Sequence, residues 1–223
     1  MDNEDNLFWK GLPAGPTIEM VDLGLSVKWA KCNLGAETET DYGDYYAWGE
    51  VETKSNYSWA TYKHTNGIYS KSNKKVFIKY CPTSKESTYW AGTGSADNKL
   101  TLDLGADGDD IVNVQLGGNY RIPTEAEFNE LLDTTKVTNT WTTKNGVNGR
   151  EFTSLINGNT LFIPAAGYYD GSSLYLAGSG GSYWSSSLRL EDPVSANFLY
   201  FSSGDIRRNS GGRYAGRSIR PVL

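Results

Sequence analysis

Histidine and cysteine, the residues behind much catalysis and metal binding, are nearly absent from this chain. Its 223 residues include one histidine and two cysteines. His64 lies in a polar stretch rich in tyrosine and lysine, and no Gly-x-Ser-x-Gly motif occurs, so we predict no catalytic serine–histidine pair. Cys32 and Cys81 are too few for a disulfide scaffold and lack the spacing of zinc ligands. The sequence leaves open whether these two cysteines pair.

Excess positive charge and long apolar runs are also lacking. The formal net charge is -5 at pH 7, whereas nucleic-acid binding depends on concentrated lysine and arginine that displace counterions. No apolar run approaches the roughly 20 residues of a membrane-spanning helix. The N-terminal residues show no signal peptide, so the protein either acts without this export route or has lost a leader. We therefore predict no nucleic-acid partner and no transmembrane segment.

Glycine, tyrosine and tryptophan are abundant instead. The chain has 25 Gly, 15 Tyr and 7 Trp. Glycine together with Asn, Ser and Thr predicts many short elements separated by turns. Tyrosine and tryptophan join a large apolar ring to a polar group, which suits a ligand-holding surface. The same composition also suits the solvent-exposed rim of an ordinary β-rich core. Composition alone therefore does not distinguish a ligand-binding surface from an ordinary one.

The chain divides into a short tail and one domain. Residues 1–19 are polar and interrupted by Pro13 and Pro16, which predicts a tail or an attachment segment, with a single domain at 20–223. Residues 53–98 show weak periodicity and are predicted to form long loops, which are often functional.

One helix is well signalled, beginning after Thr124. Thr124 and Glu127 have the spacing of a capping box, and Phe128, Leu131 and Leu132 then share one face. Capping explains Glu125 and Glu127 without assigning them acid–base chemistry.

Short strands dominate the remaining pattern. Turn dipeptides at residues 145–146, 148–149 and 157–158 separate apolar or alternating runs. Strands are predicted at 27–30, 45–48, 138–143, 151–155, 161–163, 183–187, 198–201 and 217–222. The sequence therefore predicts an α+β fold with short antiparallel strands, one or two helices and long loops.

Two segments that could bind cofactors are assigned to structure. Residues 103–110 are dense in carboxylates but lack the ligand spacing of an EF-hand, so we predict a solvated acidic turn. The glycine-rich residues 178–181 lead into a strand and not into a helix, which excludes a phosphate cradle. No metal and no cofactor is predicted.

Several motifs in a fixed order carry a family resemblance. They are residues 21–36, 42–50, 117–128 (GGNYRIPTEAEF), 162–167, 183–187 (YWSSS) and 213–222 (RYAGRSIRPV). Residues 20–223 resemble the Fibrobacter major-paralogous-type domains of gut Bacteroidetes and the variable proteins of diversity-generating retroelements. The resemblance implies a C-type-lectin-like fold of the subgroup shared with formylglycine-generating enzymes.

The resemblance also implies a binding module and not an enzyme. The catalytic cysteines that formylglycine-generating enzymes carry in their C-terminal half have no counterpart after Cys81. The string Glu191-Asp-Pro193 does not match the motifs of calcium-dependent lectins. What remains is a receptor-like or adhesin-like module that binds a protein or glycan on a cell surface. A location at the cell surface, outside the cell or on a phage virion would follow.

The resemblance places the recognition surface in the C-terminal residues 188–217. Strand alternation predicts that Leu199 and Phe201 point inward, whereas Phe198, Tyr200 and Ser202 point outward. The predicted ligand-binding residues are Arg189, Asp192, Asn197, Phe198, Tyr200, Ser202, Asp205, Arg207, Arg208, Asn209, Ser210, Tyr214, Ala215 and Arg217.

Trp184, Arg213 and Arg220 match framework positions and are assigned to fold support.

Three alternatives stay open for the segment 188–217 and for the chain. The segment could be an ordinary solvated surface, the chain could be a hydrolase of a surface polymer with paired carboxylates in a cleft, or it could be a purely structural surface or phage domain.

Overall fold

The fold is mostly β, which corrects the predicted α+β class. A computed structural model describes residues 18–69, 75–81, 90–92 and 99–223. Strands account for 38 % of the residues and helices for 7 %. The helical signals extend over only two short segments, so helices form no layer of their own. Residues 1–17 of the predicted tail lie outside the described residues. Parts of the predicted loop region 53–98 also lie outside them.

The elements are short and follow one another closely. The helices are Ile111–Leu116 (α1) and Glu125–Leu131 (α2). The strands are Met20–Val21 (β1), Trp29–Ala30 (β2), Thr65–Tyr69 (β3), Lys75–Phe77 (β4), Trp90–Gly92 (β5), Val137–Lys144 (β6), Val147–Ser154 (β7), Thr160–Pro164 (β8), Tyr168–Asp170 (β9), Ser173–Tyr175 (β10), Gly180–Leu188 (β11), Ser195–Ser202 (β12), Ile206–Gly212 (β13) and Gly216–Arg217 (β14).

The strands form small sheets with local connections. Within the described ranges the sheets are β1-β2, β3-β4-β5, β6-β7-β8, β10-β9-β14 and β11-β12-β13. Pairing is antiparallel except between β4 and β5. The sheet β11-β12-β13, which we call the central sheet, contains most of the predicted recognition segment.

The predicted helix forms as its capping signals indicate. Thr124 accepts a hydrogen bond from the Glu127 backbone, and the Glu127 side chain accepts one from the Thr124 backbone, which completes the capping box. Phe128 and Leu131 are buried, and the Phe128 ring lies 5.6 Å from the Trp29 ring. Helix α2 thus packs its apolar face on the core beside the central sheet.

Most predicted strands of the second half are confirmed, and the other predicted strands need correction. Strands β6, β8, β11 and β12 contain the predicted runs, β7 contains the run 151–155 up to Ser154, and β2 covers only Trp29 and Ala30 of the run 27–30. The run 217–222 is a strand only at β14 and continues as single bridges from Ser218 and Val222. Residues 45–48 contribute one bridge, at Tyr46. Asn148 and Gly149 lie within β7, where Gly149 is needed because a Cβ atom would lie 2.4 Å from the Ile163 carbonyl oxygen.

The central sheet is buried on both faces over much of its length. Tyr183, Leu199 and Phe201 pack into one apolar cluster with helix α2. Trp184 and Phe198 pack into a second cluster on the other side. The prediction that Phe198 points outward to solvent is therefore wrong, because a second core layer covers that face.

The predicted framework residues support the fold from inside. Arg213 is fully buried and donates to the carbonyls of Lys79, Tyr80 and Pro193 and to the Tyr62 hydroxyl. Arg220 is equally buried and donates to backbone carbonyls of Ala30, Lys31 and Phe162. Trp184 donates to the Tyr46 carbonyl at 2.8 Å. These contacts fix the C-terminal segment to distant parts of the chain.

Candidate functional site

The edge strand β13 presents neighbouring residues on opposite faces of the central sheet. Arg208 pairs with Leu199, whereas Arg207 pairs with Tyr200. Successive side chains of a strand alternate between faces. The predicted recognition residues are consequently divided between two surfaces and do not form one continuous site.

One of these surfaces forms a groove beside the start of helix α2. The groove has a volume of about 680 Å³, and we call it the Glu125 groove. It brings together five of the predicted residues from β12, β13 and the loop between β11 and β12. The lining residues are Glu125, Leu188, Arg189, Leu190, Glu191, Asn197, Arg208, Asn209 and Ser210.

A hydrogen-bond network centred on one carboxylate organises the groove. Arg208 donates from Nη1 to Oε1 of Glu125 at 2.7 Å, and Asn197 donates from Nδ2 to Oε2 at 3.0 Å. Arg189 donates from Nη1 to the Ser210 hydroxyl at 2.9 Å. These contacts orient four strand and loop side chains and one helix side chain toward a common space.

The charged groups of the groove remain accessible. The side chain of Arg208 is 49 % exposed and that of Glu125 is 35 % exposed. Arg189 is 43 % exposed and lies 3.9 Å from a Glu191 carboxylate oxygen. Each arginine thus has a carboxylate neighbour, and each keeps a surface that a ligand can contact.

The predicted ligand-binding residues omit four groove residues, Glu125, Leu188, Leu190 and Glu191, and of these only Glu125 lies outside the segment 188–217. Glu125 was assigned to helix capping, but the capping box uses Glu127 and leaves the Glu125 side chain available. A signal did exist, because a capping box needs only one acidic residue at its third position. Its meeting with Asn197 and Arg208 depends on tertiary packing across 72 and 83 residues of chain.

The opposite surface holds a second part of the predicted set. The Arg207 guanidinium lies 4.9 Å from the centre of the Tyr200 ring and pairs with the Asp205 carboxylate. The Ser202 backbone accepts hydrogen bonds from Arg150 and donates one to the Asp205 carbonyl at 2.8 Å. The turn between β12 and β13 is therefore well fixed, but these residues do not line the groove.

Four further predicted residues do not form exposed binding positions. Phe198 is 6 % exposed, Ala215 and Arg217 are each 5 % exposed, and Tyr214 is half-buried with its ring 4.8 Å from that of Trp59. The prediction of exposed ligand-contacting positions is wrong for Phe198, Ala215 and Arg217, because Phe198 and Ala215 pack into the second core cluster and Arg217 is enclosed by aromatic rings.

Arg217 is held by aromatic rings and a hydroxyl. Its guanidinium lies 3.8 Å from the Phe198 ring centre and 4.6 Å from that of Trp184, and it donates to Ser182 at 2.8 Å. Burial lowers the pKa of Arg217 to about 9. Cation–π contacts of this kind stabilise the guanidinium inside the protein, which indicates a structural role.

Asp192 belongs to the loop between β11 and β12. Its carbonyl accepts a hydrogen bond from the Ser195 backbone at 2.9 Å, and its carboxylate lies 3.4 Å from the Ser195 hydroxyl. The residue closes this loop next to the groove but does not line it.

The acidic segment 103–110 is the predicted solvated turn only at residues 104–107, which are exposed, whereas its end is buried. Asp109 and Asp110 are 3 % and 0 % exposed. Asp110 caps helix α1 and accepts hydrogen bonds from the Asn113 and Ile122 backbones, while burial raises its pKa to about 6. Asp109 accepts from the Tyr80 hydroxyl at 2.8 Å. These carboxylates are buried because they satisfy backbone and side-chain donors, and they do not line the groove.

Histidine and cysteine take internal or isolated positions. His64 is 2 % exposed, its Nε2 lies 2.6 Å from the Gly49 carbonyl oxygen, and burial lowers its pKa to about 4. Cys32 and Cys81, both described, are not joined by a disulfide, which answers the question that the sequence left open. Over the ranges that the structure describes, no group of three or more His, Cys, Asp or Glu side chains is placed to hold a metal ion.

Comparisons with known proteins add no relative. No protein-family model, no curated protein and no solved structure matches the chain. In the described part of the chain, neither helix is long and apolar enough to cross a membrane.

Proposed function

We propose that this protein is a ligand-binding module, receptor-like or adhesin-like, and that the Glu125 groove is its recognition site for a protein or glycan on a cell surface. The observation that carries the proposal is the convergence of Arg189, Asn197, Arg208, Asn209 and Ser210 on one accessible groove. Arginine is a frequent binding anchor, and Asn and Ser supply adaptable hydrogen bonds. The resemblance to variable proteins of diversity-generating retroelements supports the same segment.

The scaffold beneath the groove favours recognition without large rearrangement. Leu199, which lies on the same face as Arg208, is fully buried, and helix α2 begins at Glu125 after a complete capping box. Groups held on packed strands lose little conformational freedom on binding. A preformed polar site of this kind is typical of a binding module.

The hydrolase alternative requires two facing carboxylates in a cleft, one of them with a raised pKa. The raised pKa of Asp110 belongs to a buried helix cap and does not meet this requirement. In the groove, Glu125 is already bound by Arg208 and Asn197. The described geometry therefore favours recognition over hydrolysis.

The adjacent arginines Arg207 and Arg208 provide a matched test. An array of immobilised cell-surface glycans and purified cell-surface proteins would be probed with the wild type, Arg208→Ala and Arg207→Ala. Both variants remove one exposed arginine from the same edge strand, but only Arg208 lines the groove. We expect Arg208→Ala to weaken binding about tenfold or more, because a charged hydrogen-bonding group is lost, and Arg207→Ala to bind within about twofold of the wild type.

The proposal fails if the wild type binds nothing on the array. It fails equally if both arginine variants lose binding to the same extent or if neither loses it. Thermal unfolding of both variants would establish that the fold is intact before binding is compared.

A further inference from the structure

We propose that the Glu125 groove binds neutral sugars through pairs of adjacent hydroxyl groups and that Glu125 sets this ligand class. The inference rests on the proposed function, since it names the ligand chemistry of the same groove. It is carried by the arrangement of one accessible carboxylate between an arginine and an asparagine.

Glu125 is oriented to accept from two neighbouring donors of a ligand. Arg208 holds one carboxylate oxygen and Asn197 holds the other. An ionised carboxylate has about four acceptor positions, so each oxygen can accept one more hydrogen bond. Two adjacent sugar hydroxyls supply such a pair of donors.

The same hydroxyls find donors on the groove wall. Within the described part of the chain Arg208 donates through Nη1 alone, and its side chain is 49 % exposed. A sugar hydroxyl both donates and accepts, so a site that offers a carboxylate beside an arginine donor satisfies both functions.

The charge of the groove favours a neutral ligand over an anionic one. Its lining includes two arginines and two glutamates, with Glu125 bound to Arg208 and Glu191 near Arg189. An anionic ligand would have to compete with Glu125 for Arg208 and would meet a second carboxylate at Glu191. A neutral polyhydroxylated ligand meets neither obstacle.

One exposed apolar side chain completes the match to a sugar ring. Leu190 lines the groove and is 44 % exposed, whereas the neighbouring Leu188 is buried in the core. A pyranose has apolar C–H faces beside its hydroxyls, so Leu190 can cover a C–H face. The volume of about 680 Å³ lies within the roughly 300–1,000 Å³ of small-molecule sites.

Matched glycosides test the ligand class directly. Saturation-transfer NMR and calorimetry on the whole chain would compare methyl glucoside with methyl glucuronide, and methyl galactoside with methyl galacturonide. The members of each pair differ only in oxidation at C6. We expect the wild type to bind at least one neutral glycoside about tenfold or more tightly than its matched uronide.

Glu125→Gln tests the assigned residue. The substitution keeps the shape of the side chain but removes its charge, so neutral-glycoside affinity should fall about tenfold and the preference should move toward the uronide that the released Arg208 attracts. Glu130→Gln is the matched control, since Glu130 lies on the same helix but contacts Ser26 and Lys136 outside the groove. This control should keep the preference of the wild type.

Two results would overturn the inference. One is a wild type that binds none of the neutral glycosides; the other is Glu125→Gln with an unchanged ratio between neutral and acidic probes. If Glu125→Gln does not fold, Asn197→Ala takes its place and should weaken neutral-glycoside binding severalfold. Array binding that depends on Arg208 without any glycoside binding would refute the sugar ligand and leave the proposed function standing.

Discussion

At the scale of single residues, the buried His64 couples the fold to pH. It remains neutral inside because burial lowers its pKa from 6.5 to about 4, although Asp109 lies 3.7 Å away. In the unfolded chain the imidazole protonates below its ordinary pKa. The folded state therefore has its full stability from this group above about pH 6.5 and loses it progressively as the pH falls toward 4.

Replacement of His64 tests this coupling. Between about pH 7 and about pH 4.5, we expect the wild type to lose about 2 kcal/mol of unfolding free energy through His64. His64→Gln can still donate to the Gly49 carbonyl but cannot protonate, so its loss over the same interval should be smaller by about that amount. Urea unfolding at both pH values measures the difference, and equal losses in the two proteins would contradict the assignment.

At the scale of elements, the N-cap of helix α2 links local stability to the groove. Thr124 caps the helix, and the next residue is Glu125. Thr124→Ala removes the side-chain acceptor and should destabilise the protein by about 1 kcal/mol. Thr124→Ser retains the hydroxyl and should stay close to the wild type. Urea unfolding checks both values, and the cap is unimportant if the two variants are equally stable.

Local signals made several elements predictable. The capping box located α2, and alternation with turn dipeptides located β6, β7 and β8. Strand β13, however, has the sequence Ile-Arg-Arg-Asn-Ser-Gly-Gly. It shows no alternation of apolar and polar residues, because it is an edge strand with exposed positions on both faces of the sheet. The predicted solvation of Phe198 failed for the converse reason, since a second cluster covers its face.

The candidate site was predictable only in part. The predicted recognition segment 188–217 supplies five of the predicted residues that line the groove. These groove residues lie on a different surface from Tyr200 and Arg207 because of the strand register, which a single sequence does not fix. Glu125 comes from a helix far away in sequence, so its contribution required tertiary structure.

At the scale of the whole molecule, Arg213 joins parts of the chain that are far apart in sequence. Its guanidinium contacts the 62–80 region and the loop before β12, and it lies 4.3 Å from the Phe77 ring centre. Arg213→Ala would leave several buried carbonyl oxygens without their donor. We expect a loss of about 3 kcal/mol or more in unfolding free energy.

The exposed Arg207 is the control for this variant. Arg207→Ala should change the stability by less than about 0.5 kcal/mol, since it removes an exposed side chain from an edge strand. Thermal or urea unfolding of both variants gives the comparison. Similar stabilities for Arg213→Ala and the wild type would show that the buried arginine does not connect these regions.

The alternation along β13 has a consequence for how readily this protein could acquire new partners. Residues 207–210 are exposed or half-buried, whereas the buried side chains that the central sheet contributes to the two core clusters come from β11 and β12. Changes at Arg208 or Ser210 alter the flank that holds the Glu125 groove, and a change at Arg207 alters the other flank. Randomising a few adjacent codons would therefore create two independent repertoires of specificity on a single unchanged framework.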